Sequence, residues 1–191
     1  MDATKNKRWI VGLTGKNAAG KGVAAKALTD LGYRYLSLSD ALRLEAEKIG
    51  VSHSREDLIR LGQELRKREG PGVLAARTVA AFEPAGLFVV DSIRNPAEID
   101  ILRSAGEFYL LGIDAPIERR YQWAMQRGRN ENAQTLDEFR KMEEREFSDD
   151  SRGQQLNKCL ERVDLLLDNT ATVDALSQKV VETLRAISFP A

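Results

Sequence analysis

The sequence predicts an α/β fold in which a mostly parallel sheet of five strands lies between two layers of helices. Short apolar runs alternate along the chain with longer segments of helical periodicity, which is typical of parallel strands joined by helices. The runs themselves, such as WIVGL at residues 9–13, suit strands that are covered on both faces. A chain of 191 residues can bury a substantial core, and we expect residues 1–191 to form a single domain.

The predicted strands are apolar runs that begin or end at glycine or at polar residues. The first precedes a glycine-rich turn, the second follows Gly32, and the third ends at Asp91. In chain order the strands are expected at Trp9–Leu13, Tyr33–Leu38, Leu87–Val90, Phe108–Ile113 and Leu165–Leu167.

The predicted helices are identified by their apolar spacing and by the residues at their ends. Gly32 and Gly50 end the first two helices, and Ser54 with Asp57 has the pattern of a helix start. The sequence GPG at residues 70–72 separates the next two. The helices are expected over Lys21–Leu31, Asp40–Ile49, residues 54–69, Val73–Phe82, Ile117–Arg127 and from Val173 onward, with a solvated helix pair in the highly charged residues 137–162.

The composition bounds the classes of partner. Lys plus Arg and Asp plus Glu both number 29, so the net charge gives no sign of binding to nucleic acid or to a membrane. No apolar run approaches the roughly 18 residues of a membrane-spanning helix. The N-terminal segment has no signal-peptide core, and we expect a cytoplasmic protein. Cys159 is the single cysteine, and the single histidine, His53, is expected in a solvated loop or at a helix start. The sequence leaves the oligomeric state open.

The clearest motif is GLTGKNAAGKGV at residues 12–23, in which Gly15 is followed after four residues by Gly20 and Lys21. Between a strand and a helix this spacing is typical of a phosphate-binding loop (P-loop), because backbone N–H groups at the helix start face the phosphate and the lysine adds a cation. A chance glycine-rich turn is the alternative. The candidate residues for phosphate binding are Gly15, Asn17, Ala18, Ala19, Gly20, Lys21, Gly22 and Val23.

The stretch GKNAAGKG resembles adenylate kinase and related nucleoside monophosphate kinases, whose loops also contain Gly-Lys-Gly, usually followed by Thr. The resemblance implies a P-loop kinase fold with a small lid, and a Mg²⁺ ion that is bound mostly through water and phosphate oxygens. Gly22 therefore does not exclude catalysis. Val23 departs from the family, because it stands where a hydroxyl would help to hold the nucleotide phosphates.

Two further stretches resemble the same kinases. SLSDALR at residues 37–43 places Arg43 where an acceptor phosphate would bind, three residues after Asp40. VVDSIRN at residues 89–95 resembles their acidic strand end and following arginine, here Asp91 and Arg94, with one residue fewer between them.

The overall layout resembles dephospho-CoA kinase and its relatives, which share GLTG at the first strand and an IDN-like turn near the C-terminus. Here that turn is LLDNTAT at residues 166–172, and the resemblance places Asn169 and Thr170 at the adenine. It also implies an acceptor-binding helical insert at about residues 40–82 and a lid at about residues 119–146.

Each candidate has a simpler alternative. Asp91 is expected to organise Mg²⁺ and its waters, or else to cap a helix or turn. Arg94 is expected to bind an acceptor phosphate, or else to form a surface ion pair. Asp40 would be the general base for a hydroxyl acceptor, a positioning residue for a phosphate acceptor, or an ordinary helix cap.

The lid arginines are a separate cluster. Arg127 and Arg129, after the predicted helix over residues 117–127, are expected to stabilise the charge that develops during phosphoryl transfer. Arg119 and Arg120 fit that role or a solvated basic stripe equally well.

Together these features predict an ATP-dependent, Mg²⁺-requiring kinase that acts on a small nucleotide-like molecule, a nucleoside monophosphate or a dephospho-CoA-like acceptor. The alternative from another class is a weakly active or inactive P-loop protein that binds nucleotide and regulates a partner, which Val23 favours.

Overall fold

The computed structural model describes residues 7–128, 135–146 and 155–191. It confirms the α/β fold and a sheet of five strands in which all neighbouring pairs are parallel. The spatial order is β2-β3-β1-β4-β5. The strands are β1 (Arg8–Thr14), β2 (Arg34–Ser37), β3 (Gly86–Asp91), β4 (Glu107–Asp114) and β5 (Leu165–Asp168).

Helices cover both faces of the sheet because each strand presents alternate apolar residues to opposite sides. Val11 and Val89 pack against α1 and α9, whereas Ile10 and Val90 pack against the helices of the other face. The helices in the described residues are α1 (Lys21–Asp30), α2 (Leu38–Ile49), α3 (Arg55–Glu69), α4 (Val73–Val79), α5 (Pro96–Ala105), α6 (Ile117–Gln126), α7 (Leu136–Glu146), α8 (Leu156–Leu160) and α9 (Val173–Ala186). None of them is both long and apolar enough to cross a membrane.

The helix α5 was not among the predicted elements. It begins with a capping box, in which the Asn95 side chain accepts a hydrogen bond from the first turn and the Glu98 side chain accepts one from the Asn95 N–H. Pro96 occupies the first turn, where its missing N–H leaves no hydrogen bond unmade. The sequence NPAE therefore contained the signal for this helix.

The strand order brings the carboxyl ends of three strands together. β1 lies between β3 and β4, and all strands run in the same direction, so the carboxyl ends of these three strands meet at one edge. In open parallel sheets ligands bind at such an edge, where the chain switches from one side of the sheet to the other.

Candidate functional site

The loop between β1 and α1 has a conformation that only glycine permits at two of its positions. Gly15 and Gly20 adopt φ values of 141° and 112°. A Cβ atom at Gly15 would lie 2.0 Å from the Ile113 carbonyl oxygen, and one at Gly20 would lie 2.4 Å from Nδ2 of Asn169. The two glycines of the motif are therefore required by backbone geometry and by close packing against β4 and the Asn169 turn.

Lys21 lies inside this loop at the start of α1. Its Nζ donates hydrogen bonds to the carbonyl oxygens of Gly15 at 2.7 Å and Lys16 at 2.9 Å. Burial lowers the pKa of Lys21 from 10.5 to about 8, since it removes water from the ammonium group. Asp91 opposes this shift, and the neighbouring arginines Arg94 and Arg127 add to it. The loop thus concentrates positive charge, which suits an anionic ligand.

The two residues after the lysine have different surroundings. A Cβ atom at Gly22 would meet nothing within 4 Å, so a larger side chain has space there. Val23 is partly buried, packs against the core beneath α1 and α9, and lines a cavity with Arg127. Its side chain therefore has a packing role, which accounts for an apolar residue at this position.

The other loop residues are ordered by contacts with their neighbours. Ala18 and Ala19 are buried, and Ala18 has a left-handed φ of 58°. Asn17 lines the cavity between the loop and α3, and the Asn17 carbonyl accepts a hydrogen bond from Arg120.

Asp91 ends β3 beside the loop, as the sequence predicted. Its Oδ1 accepts a hydrogen bond from the Ser92 N–H at 2.5 Å, and its Oδ2 lies 3.4 Å from the donor hydroxyl of Tyr35. Within the described residues no group of three or more His, Cys, Asp or Glu side chains is placed to hold a metal ion. A divalent cation beside Asp91 would need further oxygen ligands from water or from a bound phosphate.

A cavity of about 310 Å³ lies between the loop, α2 and α3. Its lining includes Arg43 and Arg94, which the sequence predicted, and also Arg55 and Arg66 of α3, which it did not. Asp40 does not line this cavity; its Oδ1 accepts a hydrogen bond from Nη1 of Arg43 at 2.7 Å. The structure therefore brings the two predicted arginines together and leaves the predicted general base outside.

Glu98 contacts two of the arginines that line this cavity, and the sequence patterns did not single it out. The carboxylate is fully buried, its Oε2 accepts hydrogen bonds from the N–H groups of Arg94 and Asn95, and its Oε1 accepts one from Nη2 of Arg66 at 3.0 Å. Burial and the nearby Arg55 lower the pKa of Arg94. The capping-box pattern at residues 95–98 was the available signal for Glu98.

A second cavity, of about 410 Å³, lies on the other side of the loop. Gly20, Val23 and Asn169 line it together with Trp123 of α6. Nδ2 of Asn169 donates to the Ala19 carbonyl at 2.9 Å, which fixes the loop from this side. Thr170 is exposed, and its carbonyl accepts a hydrogen bond from Arg119.

The arginines of the predicted lid lie in different environments. Arg120 is buried, donates to the Ala115 carbonyl at 2.8 Å, and forms a paired contact with Glu143 of α7. It therefore joins α6, α7 and the loop, and the solvated-stripe alternative is wrong for Arg120. Arg127 is exposed at the end of α6 and lines the second cavity. Arg129 lies outside the described residues.

The sequence is similar to curated archaeal proteins along most of its length. It is 30% identical over 179 residues to a UPF0200 protein of Methanosarcina barkeri, an alignment that covers 92% of this chain and 94% of the relative. It is 28% identical over 187 residues to a UPF0200 protein of Pyrococcus horikoshii, with 93% and 97% covered. No protein-family model matches the chain.

Solved structures share the fold at low sequence identity. TT1252 from Thermus thermophilus superposes with a TM-score of 0.60 at 20% identity, covering 94% of this chain and 98% of that one. The shikimate kinase of Aquifex aeolicus gives 0.55 at 13%, and the Mycobacterium tuberculosis APS kinase CysC, solved with AMPPNP and APS, gives 0.55 at 18%, both with the same coverage. The chain therefore has the fold of P-loop kinases.

Proposed function

This chain belongs to the UPF0200 protein family, and we propose that it is an ATP-dependent phosphotransferase that acts on a small nucleotide-like molecule. The observation that carries this proposal is the position of the loop between two cavities. Asn17 lines the cavity on the α3 side, Gly20 and Val23 line the cavity on the α6 side, and Nζ of Lys21 donates to carbonyl oxygens of the same loop. A phosphate donor on one side and an acceptor on the other would meet at Lys21.

The residues fit ATP on the α6 side of the loop. Backbone N–H groups at the start of α1 would bind the phosphates, and Lys21 would exchange its contacts with loop carbonyls for contacts with phosphate oxygens. The adenine would lie in the cavity that contains Trp123, with Asn169 and Thr170 at its edge. The APS kinase that shares this fold was solved with AMPPNP, an analogue of ATP, which supports ATP as the nucleotide.

Asp91 would be the protein's contribution to a magnesium site. Its carboxylate lies close enough to Lys21 to raise the pKa of that lysine, so it borders the place where the phosphates would bind. When bound, Mg²⁺ would neutralise phosphate charge as the transferred group moves. Asp91 would hold that ion mainly through water, because both of its oxygens already accept hydrogen bonds in the protein.

The helical segment α2–α4 would bind the acceptor in the 310 Å³ cavity, with Arg43 and Arg94 at its phosphate. The segment from α6 to α7 would be the lid, in which Arg127 and Arg129 stabilise charge on the transferred group. Arg120, through its contacts with Asn17 and Glu143, would tie the lid to the loop. Both a nucleoside monophosphate and a dephospho-CoA-like molecule are retained as acceptor types.

The test is a thermal-shift and turnover panel with ATP or GTP, with and without Mg²⁺. A nucleotide present at 100 times its dissociation constant stabilises a protein by about 2.7 kcal/mol. For a chain of this size, this raises the melting temperature by roughly 5–11 °C. We expect this shift for the wild type and its loss in Lys21→Ala. The matched control is Lys26→Ala, because Lys26 is an exposed cation on the same helix that pairs with Asp30.

Turnover separates the two functional classes. Transfer of labelled phosphate from ATP to a small acceptor would support the kinase. The regulatory alternative would be supported if nucleotide raises the melting temperature through Lys21 but no phosphate is transferred to any monophosphate or to dephospho-CoA. The apolar environment of Val23 favours this alternative. If neither ATP nor GTP raises the melting temperature, both the kinase and the regulatory alternative are contradicted.

A further inference from the structure

The cavity between the loop and α3 has an unusual balance of charge. Arginine side chains line it at Arg43, Arg55, Arg66 and Arg94, and no aspartate or glutamate of the described chain lines it. The other lining residues are aliphatic or carry amides and hydroxyls, except for His53, which stands one residue before the α3 N-cap. A cavity with several cations and no carboxylate in its wall favours an anionic occupant.

Arg66 gives a second and independent observation. Its side chain is only 6% exposed, and its Nη2 donates to Glu98. Its Nε–H, however, is buried without a hydrogen-bond partner in the described structure. A buried donor without a partner is costly, and arginine presents Nε and Nη as a fork that matches a pair of oxygens. Arg66 thus retains a donor for an oxygen that is not supplied by the described protein.

Arg55, the first residue of α3, lines the same cavity as Arg66. Its charge lowers the pKa of Arg94, as does the charge of Arg66, so the three guanidinium groups lie within electrostatic range of one another. Arg94 in turn is within range of Lys21. The charges therefore continue from the loop to the α3 wall of the cavity.

We propose that Arg55 and Arg66 form an oxyanion subsite on the α3 wall, which binds a phosphate or carboxylate group carried by the acceptor. This proposal rests on the proposed function only in calling the occupant an acceptor; the subsite itself depends on the cavity. Its consequence is specificity: a neutral sugar or a nucleoside would bring no anionic oxygen to the buried Nε–H of Arg66, whereas a compact anion would accept a hydrogen bond from it and offset the positive charge of the cavity wall. The cavity, at about 310 Å³, suits a small ligand.

The experiment measures binding of two probes, inorganic phosphate and malonate, by calorimetry. Because the loop would also bind phosphate, the parent protein is Lys21→Ala, which removes the main cation of the loop. We expect at least one probe to bind this parent. Adding Arg55→Gln or Arg66→Lys should weaken that binding by about tenfold or more, the usual effect of losing a hydrogen bond to a charged group.

Two features of the design keep the result interpretable. Arg66→Lys retains a cation beside Glu98, so it avoids leaving that buried carboxylate alone, and a thermal melt verifies that the variant folds. Arg60→Gln is the matched control, because Arg60 is an exposed arginine of α3 that pairs with Asp57 and does not line the cavity. This control should change the dissociation constant less than about twofold, in line with the small contribution of surface ion pairs.

The outcomes separate the alternatives. Phosphate binding without malonate binding assigns the subsite to phosphate monoesters, and the reverse assigns it to carboxylates. If neither probe binds the parent at tens of millimolar, or if binding is the same with and without Arg55→Gln and Arg66→Lys, the subsite is refuted. A parallel titration of AMPPNP into the wild type tests the proposed function by itself, because its failure would leave the anion result unchanged.

Discussion

We expect this protein to take up a proton when it binds a nucleotide near pH 8. This can be measured by changing the pH in the presence and absence of ATP with Mg²⁺. In the protein without nucleotide the pKa of Lys21 is about 8, because its ammonium group is largely removed from water. Phosphate oxygens placed at Nζ would raise this pKa, since an opposite charge favours the protonated form.

The number of protons taken up follows from the pKa of Lys21 before and after binding. At a pH equal to the pKa, half of the molecules carry the proton, so binding should take up about half a proton at pH 8 and about a tenth at pH 7. Above pH 8 the apparent ATP affinity should fall by about tenfold per pH unit until the pKa of the bound state is reached. The same shift predicts that Lys21 makes the nucleotide-free protein more stable as the pH rises from about 8 to 10.5, because the unfolded chain then holds more protons than the folded one.

The assay is titration calorimetry at pH 7, 8 and 9 in pairs of buffers with different ionisation enthalpies, from which proton uptake is obtained directly. Lys26→Ala should keep the wild-type uptake, because Lys26 is exposed and pairs with Asp30, whereas Nζ of Lys21 donates to the loop carbonyls. Proton uptake near zero at pH 8 in a wild-type protein that binds ATP would contradict this prediction. It would mean that Lys21 is already fully protonated, or that it does not meet the phosphates.

Three further results are expected. Gly20→Ala should destabilise the protein by about 1–3 kcal/mol and weaken ATP binding, because the left-handed φ of Gly20 and its contact with Asn169 leave no room for a Cβ atom. Gly22→Ser, in open space within a helix, should leave the melting temperature unchanged or raise it. An equal loss of stability in both variants would contradict the loop geometry. Arg127→Ala should lower kcat far more than ATP affinity, as expected of contacts that form while charge develops; steady-state kinetics with a separate ATP titration decide, and equal losses would indicate simple binding. Asp40→Asn should reduce single-turnover transfer by less than tenfold, since that carboxylate pairs with Arg43 outside the cavity; a loss of about 10²–10⁴-fold would restore the general-base role.

The sequence was informative where the candidate site depends on local structure. The spacing of Gly15, Gly20 and Lys21 predicts the loop because the required φ angles and the helix start are set within a few residues. Short apolar runs that alternate with helical segments predicted the α/β fold, because each strand can be recognised from its own residues. Asp91 could be placed because it directly follows the apolar run of β3.

Contacts between distant segments could not be predicted in this way. Arg120 has the spacing of an exposed helical arginine, yet it is buried because α7 supplies Glu143 and the loop supplies the Asn17 carbonyl. The Arg66–Glu98 pair joins α3 to α5 across 32 residues of sequence. Nothing within either helix identifies its partner, so the place of Arg66 in the wall of the cavity between the loop and α3 became visible only in three dimensions.

The buried pair of Arg66 and Glu98 is better understood as positioning than as stabilisation. A buried ion pair gains little over apolar residues of similar size, although removing one partner destabilises a protein by about 3–5 kcal/mol. Here the same carboxylate binds the Arg66 guanidinium and the Arg94 backbone, so two cationic side chains of the cavity are anchored through one fully buried group. Arginines that are held before the ligand arrives lose less conformational entropy on binding. The burial of Glu98 is therefore explained by the cavity that it organises, even though Glu98 itself does not line that cavity.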